Sequence, residues 1–512
     1  MRQDQLKNSR LKTFMPQRGS AFLAGLLLSF SAGVSLADDE YHPEMGPQAE
    51  QTKHSDEVFS PDPDYADEAY DAEAQIEIYG GKKAVHTPRP LLELGRPQYQ
   101  AGPLTKTSPV FGERNRTATA LAVYGDIRTA VAFNDNNGRD FHRLAARANF
   151  DIDLKITGTE RIHAFVRPLD RNNQFSGIDF GGDTDGINDE LLLDGNLETL
   201  FFEGDFGSIW AGLSGKPSNF DLPFAVGKMP LLFQNGVWME DAFTGFAFTI
   251  PARNSRLFDI SNFDITFFAG FDDVSSQAIR RADGTIADDE VHLYGVASFW
   301  ELLGGYAEVD YAFIDAQNEF DDLDHHNFSA SFTKRISDFA STSVRVMSTF
   351  GQDPIGREKT AGGTMVMWEN SLITSKPSTY IPYMNLFAGF DRPLSVARDN
   401  GGLLKTIGIN FETDGLTGFP TLDDSGHDAY GGAIGLNYLF GLDKQIVLEF
   451  AGLRLMDREN PLGTARDDQV AIGFRYQEPL NRSVIFRFDA IKGWRDDDDN
   501  ISGIRMELRR KF

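Results

Sequence analysis

Residues Leu144–Ile156 change chemistry at every step over thirteen positions. The even positions are Leu144, Ala146, Ala148, Phe150, Ile152, Leu154 and Ile156; between them fall Ala145, Arg147, Asn149, Asp151, Asp153 and Lys155. Successive side chains of a strand point to opposite faces, so this spacing predicts a strand with one apolar and one polar face. The alternation returns in Phe263/Ile265/Phe267/Ala269 against Asp264 and in Val291/Leu293/Ala297/Phe299 against His292. It returns again in Val470/Ile472/Phe474/Tyr476 against Arg475, and in Val484/Phe486/Phe488/Ala490 against Arg487 and Asp489. Segments of about ten residues with this period, repeated in series, mark an all-β, transmembrane antiparallel barrel. Tandem sandwiches of about 100 residues would need linkers, and no Pro/Ser-rich stretch interrupts residues 117–512.

Composition narrows the chemistry. The 512-residue chain has no cysteine, which removes disulfide frameworks, zinc knuckles and thiol nucleophiles. Its 49 Lys+Arg against 76 Asp+Glu give a net charge of −27, a poor match for nucleic-acid phosphates. Forty-two Phe and 49 Gly suit a large antiparallel sheet with many turns.

The N-terminal region reads as three pieces. Residues 1–37 form a cleaved signal peptide: Arg2, Lys7, Arg10, Lys12 and Arg18, then the apolar run Ala21–Phe30, then Ser35-Leu-Ala37 before Asp38-Asp-Glu40. Residues 38–74 are acidic and poor in apolar side chains, so disorder is expected there. Residues 75–116 are basic and contain Pro88-Arg-Pro-Leu-Leu-Glu-Leu-Gly-Arg-Pro97. Their prolines argue against a regular element, which leaves a linker, a plug of the lumen, or a docking segment for a periplasmic partner. The barrel is assigned to 117–512.

Connector lengths test that assignment, because outer-membrane barrels pair short periplasmic turns with long outer loops. Counting upward from residue 117 places outer loops at Asn134–Asp140, Leu169–Gly195, Ser214–Asp241, Asp272–Glu290 and Asp315–His326. Turns fall at Gly158–Glu160, Gly204–Gly207, Pro251–Ser261, Glu301–Gly304 and Ser337–Ser341. Counting back from Phe512 alternates equally well, but the two countings fail to meet between Gly362 and Asp428. Nineteen candidate strands result, and an even number is needed to leave both termini on one side. About 18 strands are expected, with 16 next.

If apolar faces meet lipid, the solute path carries Arg128, Arg147, Lys155, Arg167, Arg345, Arg475 and Arg487 together with Asp151 and Asp264. With Arg143, Arg505 and Arg509 added on the basic side and Asp126, Asp153, Glu203, Glu308, Asp310, Glu449, Asp489 and Glu507 on the acidic side, the signs nearly cancel, which suits small hydrophilic solutes more than a one-sided polyanion conduit. The connector Ser214–Asp241 holds Phe220, Leu222, Phe224, Val226, Met229, Leu231, Leu232, Phe233, Val237 and Trp238. Such a loop is a liability in water, so it is expected to fold into the lumen as a constriction presenting Lys216, Lys228, Gln234, Asn235 and Trp238. Asp179, Asp183, Asp185 and Asp189 lie among glycines, and calcium is the one cofactor such an outer loop could hold. No catalytic constellation is legible, so an enzyme is not expected.

Ile209-Trp-Ala-Gly-Leu, Val226-Gly-Lys-Met-Pro and Gly236-Val-Trp-Met-Glu-Asp-Ala-Phe-Thr-Gly-Phe246 together resemble one stretch of alginate-export porins, with Lys228 where that family has Arg. Residues 117–512 resemble Gram-negative outer-membrane porins more widely, and the chain's final Phe512 closes an alternating strand through Ile504, Met506 and Leu508. The wider resemblance implies an outer-membrane location among lipid and lipopolysaccharide, and passive diffusion of small hydrophilic or anionic solutes. The narrower one implies, as the alternative, an eighteen-stranded exporter of an exopolysaccharide such as alginate.

Overall fold

The computed structural model describes residues 88–95, 110–112, 114–171, 174–184, 186–195, 197–257, 260–412, 415–441, 443–457, 465 and 467–512. The signal peptide and acidic extension expected at 1–37 and 38–74 lie outside the described residues.

Eighteen strands close into one antiparallel wall. They are β1 (Ala120–Asn136), β2 (Arg139–Lys155), β3 (Arg161–Val166), β4 (Leu197–Asp205), β5 (Pro223–Phe233) and β6 (Met239–Ser255). Next come β7 (Ile260–Asp272), β8 (Val291–Leu302), β9 (Gly305–Ala316), β10 (His325–Ile336), β11 (Ala340–Phe350) and β12 (Gly362–Leu372). The last six are β13 (Tyr380–Arg392), β14 (Ala429–Phe440), β15 (Lys444–Leu455), β16 (Gln469–Pro479), β17 (Val484–Arg495) and β18 (Ile501–Lys511). β1 pairs with β2 on one side and with β18 on the other, from Asp126↔Lys511 to Asp135↔Ser502. Phe512 finishes the seam by exchanging two backbone hydrogen bonds with Gly125, at 2.9 and 3.0 Å. β3 is short, and above it the hairpin Gly177–Gly182/Ile187–Glu190 takes its place beside β2.

Period two explains the wall. On β16 Val470 and Ile472 are exposed, while Ala471 is fully buried and Arg475 points inward. Phe133, Phe246, Trp368, Ile434, Leu448 and Ile504 share the exposed outer face around the circumference, an apolar belt that only lipid accommodates. The end carrying both termini has the short turns, as at 303–304, 337–339 and 441–443; the other end has 273–290, 351–361 and 393–428.

Four expectations are corrected here. The stretch Ser208–Leu213 was expected to rise through the wall, but Phe206–Ser214 is a helix, α1. Asp205 caps its first turn by accepting the N–H of Ser208 at 2.6 Å, and Gly215 ends it in the left-handed conformation. The rising strand is β5, so Ser214–Asp241 is not a loop, and the outer connection shrinks to 234–238. The long lower connection Pro251–Ser261 is mostly strand too, because bulges around Ala252 let β6 run to Ser255. Finally, Leu92–Leu94 forms a short strand despite its flanking prolines. It pairs with Leu121–Val123 of β1 below the point where β18 ends, on an edge where proline is tolerated.

Candidate functional site: a lumen crossed by two inward-folded segments

The surplus strand candidate between Gly362 and Asp428 resolves into a 393–428 connection that turns into the barrel. Leu403, Leu404, Ile407, Phe411 and Leu422 are buried in one core with Met229, Phe243, Leu293 and Met365 of the wall and Trp238 of the β5–β6 connection. This inverts β8: Val291 and Leu293 face the packed interior and Tyr294 faces out, so His292 lies outward rather than on the lumen face. A wall faced by an inserted apolar segment gains by presenting apolar side chains to it.

The tip of the β5–β6 hairpin joins this insertion. The Gln234 amide donates to Asp310 of β9 at 2.6 Å and accepts from Ser329 of β10 and Arg345 of β11, both at 2.9 Å. Trp238, fully buried, donates its indole N–H to Asn327 at 2.7 Å. Backbone bonds stitch the tip to the inserted segment: Val396 N–H to the Trp238 carbonyl at 2.9 Å and Glu240 N–H to the Ala397 carbonyl at 3.1 Å. Arg398 donates to the Gly236 carbonyl and pairs with Glu240, which also receives Lys405 at 3.1 Å.

Of the five side chains expected at a constriction, Gln234 and Trp238 are therefore inside, with Asn235 exposed at the turn between them. Lys216 is exposed beyond α1 at the short-turn end. Lys228 lies on the outward face of β5, opposite Thr244, and pairs with Asp273 at 3.1 Å. Neither lysine constricts the lumen, because residues 223–233 are wall and their alternation fixes which side chains turn in.

The inserted segment ends its crossing against β15–β18. Glu412 lies 2.7 Å from Arg475 and 3.4 Å from Arg487. Asp489, buried beneath them, pairs with Arg475 at 2.7 Å, Arg487 at 2.8 Å and Arg505 at 2.9 Å. Asn410 and the N–H of Ile409 hold Glu449 of β15 at 2.8–2.9 Å, and Thr417 accepts through its carbonyl from Asn134 of β1 at 2.8 Å. Burial pushes the Glu412 carboxyl up, but Arg475 and Arg487 beside it outweigh that and hold it below the ordinary range. Asp424, further along the same connection, is pushed up to about 6 by burial, against the N–H of Gly402 at 2.7 Å.

The other expected path residues form separate groups. Arg128 and Arg509 pair with Asp126; Arg147 reaches Asn149 at 3.1 Å and Asp170 at 4.0 Å. Arg167 closes a buried triad with Asp170 and Glu198 at 3.3 and 2.9 Å, and Arg345 pairs with Glu369 at 2.8 Å. Lys155 lines a cavity of about 710 Å³ at the short-turn end with Tyr124, Asp153 and Arg161, and Asp151 is in register with Tyr124. Asp264 accepts the N–H of Ala252 at the lower bulge. Of the expected calcium ligands, Asp179 lies 3.7 Å from Arg143 and Asp183 accepts the N–H of Asp140, while Asp185 is outside the described residues. Among the described residues no three carboxylates or histidines converge in a way that suits a metal ion.

Fold comparison places this architecture. The crystal structure of Pseudomonas aeruginosa OpdK with vanillate matches with a TM-score of 0.50 and 11% identity, covering 77% of this chain and 98% of OpdK. Pseudomonas aeruginosa OccK7 (OpdD) matches equally, at 0.50 and 10% over 77% and 98%. The chain has the fold of an outer-membrane porin. No family model and no curated protein matches its sequence. Within this barrel, sequence reasoning missed Arg398, Lys405, Asn410 and Glu412. The signal was present: the apolar residues of 393–428 in an outer connector are the same anomaly that drew attention to 214–241.

Proposed function

We propose that the chain is an outer-membrane channel for passive diffusion of small hydrophilic solutes, with a preference for anions, narrowed by the 393–428 segment and the 234–238 tip. The observation that carries this reading is Glu412. Asp489 lies beneath the arginine cluster, while Arg475 and Arg487 turn toward the lumen and are met there by a carboxylate that the chain supplies itself. A solute carboxylate takes the same two guanidinium groups when Glu412 moves aside, since a planar fork binds a carboxylate from any source. The vanillate in the OpdK structure is a solute of this kind.

Export of an acidic polysaccharide is the weaker reading. A polymer conduit calls for an open lumen of one sign, whereas this lumen is crossed by a packed segment and its arginines are matched by Asp126, Asp170, Glu369 and Asp489. The stretch Ile209–Leu213, on which the resemblance to alginate-export porins partly rested, is helix rather than wall.

Single-channel conductance of the refolded mature chain in planar bilayers is the test. Replacing residues 401–417 by a short Gly-Ser linker is expected to raise unitary conductance severalfold. Equal conductance in the two forms would dismiss the segment as a constriction, and silence in both would dismiss the channel.

A further inference from the structure

Helix α1, Phe206-Gly-Ser-Ile-Trp-Ala-Gly-Leu-Ser214, carries no charged side chain and hangs below the wall between β4 and β5. Its inner face is made of glycine. A Cβ on Gly207 would collide with the Phe220 carbonyl, and one on Gly212 with the Phe111 carbonyl, so the helix is drawn tight against its own connection to β5 and against the segment 110–112 that precedes β1. Its outer face is the reverse. Phe206, Trp210 and Leu213 fall on one line at i, i+4 and i+7 and are 47%, 58% and 66% exposed.

That stripe continues the lipid belt. The Phe206 ring stacks on Phe224 at 4.0 Å, and Phe224 leans on Phe202 at 5.8 Å. Phe202 is in register with the exposed Val226, so the three rings run down the outward face and onto the helix. Three large apolar side chains in line on an exposed helix would be a hazard in water, while Trp210 at the lower edge of a membrane wall sits where amphipathic rings are most stable.

We propose that α1 is an interfacial anchor: it lies in the headgroup–acyl boundary of the periplasmic leaflet, with Phe206, Trp210 and Leu213 among the acyl chains. The anchor fixes the depth of the barrel on the β4–β5 side, where β3 and β4 are the shortest wall strands. It depends on the barrel fold and not on which solute the lumen passes.

The cysteine-free sequence makes the test direct. Trp210→Cys and Leu213→Cys each receive one environment-sensitive fluorophore, as does Lys216→Cys, an exposed site two residues beyond the helix. The barrels are refolded into phosphatidylethanolamine/phosphatidylglycerol liposomes, and heat-modifiable gel mobility checks each fold. Labels at 210 and 213 are expected to be quenched severalfold more than the label at 216 by lipids brominated near the carbonyl end. Aqueous iodide reaching the leaflet that holds α1 is expected to give the opposite order. Equal iodide access at all three positions overturns the proposal. So does shielding of 210 and 213 from both quenchers, which would assign the stripe to a protein partner.

Discussion

The indole N–H of Trp238 and the Oδ1 of Asn327 lie 2.7 Å apart, joining the tip of the β5–β6 hairpin to β10, four strands around the wall. Asn327 spends its own amide on the Leu394 carbonyl at 2.6 Å and on Thr349 at 3.2 Å. One buried side chain thus ties the hairpin tip, the inserted segment and two wall strands together. Both partners are almost wholly shielded from water, where an unmet polar group costs about 1–3 kcal/mol.

Asn327→Leu removes all three bonds at once and is expected to loosen the insertion without opening the wall. Thermal unfolding of the refolded barrel should drop only modestly, because the wall ladder is untouched. Current recordings should show more frequent transitions between conductance levels. Wild-type noise in this variant would deny Asn327 its role as the tie.

Glu412→Gln tests the self-supplied carboxylate. Glu412 contributes one of the two negative charges facing Arg475 and Arg487; Asp489 contributes the other. Removing it leaves the guanidinium pair under-compensated, so the reversal potential in a salt gradient is expected to move toward anion selectivity. Half-saturation by a small aromatic carboxylate is expected to fall severalfold, since the solute no longer displaces an internal competitor. Selectivity moving toward cations would remove the basis for the anion reading.

The wall was legible in the sequence because a dyad period needs no tertiary information: Val470, Ile472 and Ile504 could face only lipid once Arg475, Arg505 and Asp489 were given to the lumen. Three places resisted. β5 alternates too, but Lys228 and Pro230 on its outward row mimic a loop, and α1 upstream was hidden by residues as much at home in a strand. β8 was read inside out, because hydrophobicity alone does not say whether an apolar face meets lipid or an inserted segment. The insertion itself left a counting error beside the apolar residues of its connector. Nineteen candidates for eighteen places was the trace of 393–428, and its address inside the barrel depends on pairings such as Glu412 with Arg475 that no local pattern encodes.

The raised Asp424 carboxyl makes docking of the inserted segment pH-dependent. Burial holds it at about 6, above the ordinary aspartate range, so the docked state binds a proton that the released segment does not. Docking therefore gains as pH falls from about 6 toward 4 and loses as pH rises through 6. Asp423, Arg398 and Lys405 face the same group. Lys405, held down by burial, acts only on the alkaline side, and Glu412, held low by its arginines, gives up its contribution below this window. Mean conductance is expected to be smaller at pH 5 than at pH 7.5, and Asp424→Asn is expected to flatten that slope. A slope that survives the substitution would assign it to another group.

Gly473 on β16 offers a way to expel the segment from the wall side. A Cβ there would run into the Asn410 amide oxygen, and Asn410 is 1% exposed and tied to Glu449. The wall position itself accepts a side chain, since Gly473 sits in regular register between Glu449 and Ile491. Gly473→Val should therefore leave assembly and heat-modifiable mobility intact while forcing residues 409–412 away from β15–β17. Overpacking of this kind costs about 1–3 kcal/mol, enough to shift a docked segment but not a closed barrel. The expected result is a conductance between that of the wild type and that of the 401–417 replacement, with the Glu412→Gln effect largely lost because Glu412 no longer reaches its arginines. An unchanged conductance with the Glu412→Gln effect intact would mean that the segment seats itself by contacts other than Asn410.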